Sequence, residues 1–483
     1  MERLIKVDTI KPKHSKDIKS SRLGLGFEKL DRDVFDPENA YDKVAELGVK
    51  WIRLQSGWAK TEKVKGVYDF EWLDKIVDNL ISRGLLPWMC LCYGNGLYTD
   101  EANKYFGAVG CPPIHTEEEK EGWANYVKAI VKHFEGRVNH YEVWNEPDGK
   151  WCWKHGPNGT EYGQFVIDTA KAIKEVNEDI YIIGGSMCRR QPDFLNAMLK
   201  AGAGDYIDGI TYHEYTPHDQ WIFSRVDALR AIVDMYNPKI ELIQGESGSQ
   251  SRSGGCGAVR SGGWTQRKQA KQLLRHQIAD LITETKFTSY FSCIDMIEAL
   301  NGTADNKASY MDFGYFGVLG AEFDENGVAS GTYSPKESYY AYQNICSLFT
   351  DDVISKKAPF LCKTHVGKGD RTGWTFDFDL EQTDIIYGGF YRQSTDAYAF
   401  AYYYPSNIMT TDYEGVISVY AIAKNKDDLR IIDPMDGNVY KIPDNMFDKE
   451  NYEEVYSDEN AFEIMHLPVK DYPLILCHKD FIR

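Results

Sequence analysis

Along the first two thirds of the chain, short apolar runs alternate with stretches whose apolar positions recur every three to four residues. The runs at 23–27, 49–54, 85–92, 139–144, 180–184, 207–212, 240–244 and 288–294 predict strands. Helices are expected at 36–47, 70–82, 116–134, 163–176, 193–201, 225–236 and 264–286, with a last one at 336–349. Punctuation agrees with the periodicity. Asp36 and Pro37 open the first helix, Gly48 and Gly84 stop the first two, and Thr116 with Glu119 forms a capping box for the third. Eight strand–helix units predict an α/β fold, a closed (β/α)8 TIM barrel rather than an open sheet.

Beyond about residue 351 the helical period is lost. Alternating segments at 397–404, 415–423, 429–432 and 474–478 follow, separated by turn residues, and they predict an all-β sandwich. The alternation at 4–10 predicts one more strand for that sandwich. The expected organisation is therefore an N-terminal strand within 1–20, a catalytic barrel over 21–350 and a β-sandwich accessory domain over 351–483. Its expected work is to buttress the barrel, with polysaccharide binding as the other reading.

Composition narrows the chemistry. A formal charge of −18 would repel phosphates, so neither nucleic acid nor an anionic membrane is expected as a partner. No apolar run is long enough to span a bilayer. Aromatic residues make up 13% of the chain, more than cores alone require, and aromatic faces suit the apolar faces of sugars. The ten cysteines include no Cys-x-x-Cys pair and fit reduced thiols. The start, Met1 to Val7, does not read as a signal peptide; this gives a cytoplasmic location as it stands, and a secreted or periplasmic one if a leader has been removed. A homo-oligomer is left open.

In such barrels the active site forms at the carboxyl ends of the strands. The second strand ends in Arg53, with Trp58 just beyond, and the third leads into Asn95. The fourth breaks abruptly at Asn145-Glu146-Pro147, because proline cannot continue a ladder. The sixth ends in His213 and Tyr215, and the seventh in Glu246. Glu146 and Glu246 are three strands apart on the ring and so face each other across the mouth. Two facing carboxylates are what glycoside hydrolysis needs.

The chain resembles the retaining glycoside hydrolases of clan A, and family 39-like members (β-xylosidase or β-glycosidase type) in particular. The resemblance is carried by residues 51–58, 141–147, 209–217, 243–248 and 334–349. It implies that Glu146 is the acid/base, Glu246 the nucleophile and Asn145 the ligand of the sugar 2-hydroxyl. It also implies that Arg53 sits under the nucleophile and that His213 and Tyr215 orient it. The substrate would be an oligosaccharide or glycoside with β-linked sugars, and neither a cofactor nor a metal is expected.

Plainer readings stand beside these. Arg53 could pair with a structural acid, and His213 could be a hydrogen-bonded barrel histidine. Trp58, Trp151 and Trp153 each read more readily as packing than as sugar platforms, with Trp151 and Trp153 the better platforms of the three. Glu214 should point away from His213 and Tyr215. At strand eight, where the clan often carries a tryptophan, residues 291–296 offer none, and Asp295 or Glu298 could supply a hydroxyl contact instead. Cys92, Cys111, Cys152, Cys188 and Cys256 fall on the same face, although no spacing among them supports a thiolate metal site. Long loops at 148–162, 247–263 and 297–333 should wall the mouth into a pocket and favour exo action. The competing functions are an α-L-arabinofuranosidase on the same barrel chemistry and a carbohydrate-binding barrel without catalysis.

Overall fold

Eight short parallel strands close on themselves: Gly24–Gly26 (β1), Trp51–Gln55 (β2), Leu86–Leu91 (β3), His140–Val143 (β4), Tyr181–Met187 (β5), Gly209–Glu214 (β6), Glu241–Ser247 (β7) and Thr288–Tyr290 (β8). Leu25 pairs with Ile52 on one side and with Tyr290 on the other, which completes the ring. The computed structural model describes residues 1–483 apart from 2, 190, 363–384, 424, 449–460 and 483. Gly24 is obligatory at the seam, because a Cβ there would overlap the Thr288 carbonyl and lie 2.7 Å from that of Trp51.

Helices Tyr41–Leu47 (α1), Glu71–Ser82 (α2), Glu117–His133 (α3), Gly159–Lys174 (α4), Pro192–Lys200 (α5), Ile222–Asp234 (α6), Gln266–Ile282 (α7) and Glu337–Leu348 (α8) follow the strands in turn. The Thr116–Glu119 capping box is formed as predicted. Several boundaries differ from the periodic reading, and three helix starts show why. Asp36 and Pro37 open a short 3-10 turn, and α1 begins only at Tyr41. Asn158 caps α4 four residues before the expected start, and α7 is capped by Thr265, which leaves Trp264 outside it. Side-chain caps fix the starts of α4 and α7, whereas α1 starts after Ala40 with no side-chain cap, and an apolar period records neither.

The barrel interior is layered. Trp88, Ile183, Ile243 and Phe287 form an apolar layer, with the Arg53 guanidinium 5.5 Å from the Trp88 ring centre. Arg53, Glu142 and Thr211, from β2, β4 and β6, form a polar level; both Arg53 and Thr211 donate hydrogen bonds to the Glu142 carboxylate. Alternate strands thus supply one level between them.

The remaining strands are all β. A seven-stranded antiparallel sheet runs in the order Ile5–Thr9, Asn438–Lys441, Leu429–Asp433, Leu474–His478, Ala397–Tyr403, Ile386–Arg392, Val353–Ser355. A four-stranded sheet holds Phe360–Cys362, Glu414–Ile422, Ala461–Lys470 and Phe447–Asp448, and the Tyr402 hydroxyl donates to Pro468 O at 3.0 Å between the sheets. Lys271 of α7 joins this region to the barrel through Asp471 at 2.8 Å and Asp412 at 2.6 Å. The segment 297–333 contains more than loop: a hairpin of Leu319–Phe323 with Ala329–Pro335 stands on the mouth side of β8. Among the described residues no helix is long and apolar enough to cross a membrane.

Candidate active site

After Val143 the chain turns at once. Trp144 and Glu146 both take left-handed backbone, with φ of 68° and 48°, a region that non-glycine residues seldom occupy. The Glu146 amide donates to Ser186 O at 2.9 Å, and Pro147 prevents the strand from resuming. This turn carries the Glu146 carboxylate to the mouth, 7% exposed. Trp151 Nε1 donates to Glu146 Oε2, and His213 Nδ1 lies 2.9 Å from Oε1.

Across the mouth, β7 carries one residue more than β6. Tyr212 pairs with Gln244 while His213 pairs with Glu246, so Gly245 forms a bulge, a device that re-aims a side chain. Arg53 Nη1 donates to Glu246 Oε1, and the Tyr215 hydroxyl donates to Oε2 at 2.8 Å. His213 Nδ1 is also 3.5 Å from Glu246 Oε2, so it stands between the two carboxylates. One oxygen of Glu146, one of Glu246 and a His213 nitrogen all lie within 4.8 Å of one another.

Those three atoms are close enough to converge on a cation, but Arg53, Tyr215 and Trp151 already donate hydrogen bonds to the same two carboxylates. Among the described residues this is the group with metal-like spacing, and it contains no cysteine. The five cysteines of the mouth therefore do not converge. The Cys152 thiol lies 3.7 Å from the Tyr93 hydroxyl, and that of Cys188 donates to Asp148 at 3.1 Å.

Arg53 is the electrostatic centre of the site. Its Nε and Nη2 donate to Glu142 Oε2 at 2.9 and 2.6 Å, and Nη2 also reaches Asn145 Oδ1 at 2.8 Å. Asn145 Nδ2 in turn donates to the Tyr93 hydroxyl at 2.9 Å, which fixes the amide. Burial alone would raise the Glu246 carboxyl, but His213, Arg53, Tyr215 and Lys29 together hold it below the ordinary glutamate range. Burial opposes the charge on His213, yet the Glu246 and Glu146 carboxylates raise its pKa overall. Arg53 keeps its proton despite burial, because Glu142, Glu246 and Glu28 surround it.

The family description "Glycosyl hydrolases family 39" matches residues 40–237, which include Arg53, Asn145, Glu146, His213 and Tyr215 and stop short of Glu246. The chain is family 39-like. Its fold is similar to that of a family 39 glycoside hydrolase from the gut symbiont Bacteroides cellulosilyticus WH2, with a TM-score of 0.61 at 19% identity over 95% of this chain and 81% of that one. It is also similar to a monomeric beta-xylosidase from Caulobacter crescentus CB15, with a TM-score of 0.58 at 16% identity over 98% of each chain. A curated relative, beta-galactosidase BgaA of Clostridium cellulovorans, is 27% identical over 153 residues, which cover 27% of this chain. The match spans 22% of that protein's length.

The mouth opens on a cavity of about 590 Å³ lined by Glu28, Lys29, Tyr93, Asn145, Glu146, Trp151, Tyr215, Glu246, Phe291 and Glu298, among others. Several expected contacts stand elsewhere. Trp58 is fully buried, donates to Glu62 at 2.6 Å and stacks on Tyr98 and Tyr126, so it is packing. Trp153 is likewise buried and donates to Glu161 at 2.8 Å. Asn95 spends its amide on Glu62 O and the Leu97 amide, within the loop after β3. Arg53 and His213 are fully buried and touch the carboxylates from beneath. Glu214 does point away, to Arg225 at 2.6 Å.

At the end of β8, Phe291 lines the cavity where the resemblance anticipates tryptophan, with Lys29 Nζ 5.0 Å from its ring centre. Glu298 stands on the wall 3.6 Å from Lys29, while Asp295 is spent on Lys336 at 2.6 Å. The residues that sequence reading missed are Glu28 and Lys29. The same strand-end rule that found Arg53 would have found them, since they follow β1 directly.

Proposed function

We propose that this protein is a retaining β-glycosidase in which Glu246 is the nucleophile and Glu146 the acid/base. The observation that carries the reading is the facing pair, with an oxygen of each carboxylate within 4.8 Å of the other. Retaining enzymes hold their carboxyl groups about 5–5.5 Å apart, whereas inverting ones need about 6.5–9.5 Å to admit a water molecule.

The surroundings support each role. Glu246, kept ionised by Arg53, His213 and Tyr215, attacks the anomeric carbon and forms a glycosyl ester. Glu146 gives its proton to the departing oxygen. Water then attacks the same carbon, passes a proton to Glu146 and frees Glu246 as a carboxylate. Asn145, fixed by Arg53 and Tyr93, is poised for the sugar 2-hydroxyl. The steps consume water alone.

A single cavity walled by the segments after β4, β7 and β8 favours release of terminal sugars over cutting within a chain. The names of similar proteins suggest β-xylosides and β-galactosides as first substrates to try. The test combines a panel with a rescue. Turnover of nitrophenyl β-xyloside, β-galactoside and α-L-arabinofuranoside identifies the sugar, and proton NMR of the first product should show retained configuration. Glu246→Ala should abolish turnover, and azide should restore it as a glycosyl azide of inverted configuration. Undiminished turnover by that variant would falsify the assignment.

A further inference from the structure

Arg53 is surrounded by more carboxylates than its single charge can neutralise. Glu142 takes Nε and Nη2, and Glu246 takes Nη1. Glu28 Oε1 stands 3.4 Å from that same Nη1. Glu28 follows β1 and is 1% exposed, and its Oε2 has no hydrogen-bond partner among the described residues. Two carboxyl groups thus share the Nη1 nitrogen of Arg53, with Glu246 in the near position and Glu28 in the far one.

We propose that Glu28 is a positioning residue that stabilises the glycosyl-enzyme, taking over Arg53 Nη1 while Glu246 is bound in the ester. The inference rests on the reading of Glu246 as nucleophile. When the Glu246–sugar bond forms and the bond to the leaving oxygen breaks, Glu246 loses its negative charge. Arg53 then keeps Glu142 alone as an anionic partner. Burial pushes the resting Glu28 carboxyl up to about 7, with Arg53 opposing and the Glu246 charge adding to the rise. Esterification removes that last contribution, so Glu28 gives its proton to water and pairs with the guanidinium. Hydrolysis returns the charge to Glu246, and Glu28 takes a proton back. Two other groups face Glu28: Lys29, whose pKa burial lowers while Glu298, Glu246 and Glu28 oppose the fall and whose Nζ lies 3.6 Å from Glu298, and Cys293, whose thiol burial pushes well up.

This role has a kinetic sign that structural damage would not mimic. Glu28→Gln keeps the shape but cannot supply the anion. The intermediate should become less stable relative to the states on either side, so it should form more slowly and hydrolyse faster. The ratio of hydrolysis rate to formation rate should rise about tenfold, the low end of what a charge-assisted hydrogen bond contributes. Damage to the fold, or loss of a sugar contact, would slow both steps.

Both rates are read by intact-mass spectrometry with 2-deoxy-2-fluoro-β-xylosyl and β-galactosyl fluorides, which trap the ester and let it reactivate slowly. Peptide mapping locates the adduct. A raised ratio in Glu28→Gln, with Glu28→Asp between it and the wild type, supports the inference. If the glutamine variant does not fold, the same smaller rise in Glu28→Asp carries the test. Equal slowing of both steps, or an unchanged ratio with the adduct on Glu246, overturns this inference and leaves the nucleophile in place. If the wild type forms no adduct on Glu246, both readings fall.

Discussion

Glu246 and Glu146 face each other across one mouth, but the barrel grips the first and a loop grips the second. Glu246 is fixed by Arg53 from β2, by His213 from β6 and by Tyr215 just beyond it, all rooted in the ring. Glu146 shares His213, but its other partner is Trp151, on the segment between β4 and α4. The difference suits two kinds of work. A nucleophile needs a constant charge, which rigid donors around a buried carboxylate provide. An acid/base must gain and lose a proton in every cycle, and a partner on a loop can adjust to both forms.

The largest effect expected on the Glu146 side comes from Glu146→Ala. Loss of proton transfer should lower kcat/KM by about 10²–10⁴-fold on alkyl glycosides. Dinitrophenyl glycosides, whose leaving group needs no proton, should lose far less in the first step. The two substrate classes compared side by side give the answer. Equal losses on both would remove Glu146 from the proton-carrying role and erase the contrast between the two carboxylates.

Next comes Tyr215→Phe, which deletes one of the fixed donors to Glu246. Because the folded pKa of Glu246 is depressed, its anion persists to lower pH than that of an ordinary glutamate. The acidic limb of the kcat/KM profile should therefore lie on the low side, and removing the hydroxyl, one of the groups that hold the pKa down, should move it upward. At neutral pH the loss should be about tenfold or more. A limb that stayed put while kcat fell would mean that Tyr215 positions the sugar and leaves the nucleophile's charge to Arg53 and His213.

How much of this contrast was legible in the sequence follows from the same geometry. Strand ends are periodic features, so Arg53, Glu146, His213, Tyr215 and Glu246 could be placed by counting. The bulge at Gly245 and the left-handed backbone at Glu146 decide where those side chains point; a glycine inside a strand hints at the first, and no residue type marks the second. The tryptophans mark the limit most clearly. Trp151 and Trp153 sit two residues apart in one loop with the same chemistry, yet Trp151 is at the cavity and Trp153 is sealed behind Trp144 and Tyr162. Burial is set by tertiary packing that composition does not encode. Glu28 and Lys29 follow a predicted strand, and their part in the site comes from the ring closure that sets Glu28 Oε1 3.4 Å from Arg53 Nη1 and Lys29 Nζ 3.6 Å from Glu298.

That pair of tryptophans gives the smallest and sharpest comparison. Trp151→Phe keeps an aromatic face at the mouth and deletes the Nε1 donor to Glu146. It should lower kcat by about threefold to tenfold, the value of one hydrogen bond to a carboxyl group, and leave thermal stability nearly unchanged because the residue is only half-buried. Trp153→Phe should do the reverse. It removes the hydrogen bond to Glu161 and opens space beside Trp144 and Tyr162, which should cost about 1–3 kcal/mol of stability and lower Tm. Its kcat and KM should stay within about twofold of the wild type, since Glu161, Trp144 and Tyr162, against which it packs, do not line the cavity. Melting curves and initial rates on the two variants separate the roles. If Trp153→Phe lowered kcat as much as Trp151→Phe, the loop would act as one rigid support for Glu146, and the adjustable grip on the acid/base would have to come from His213.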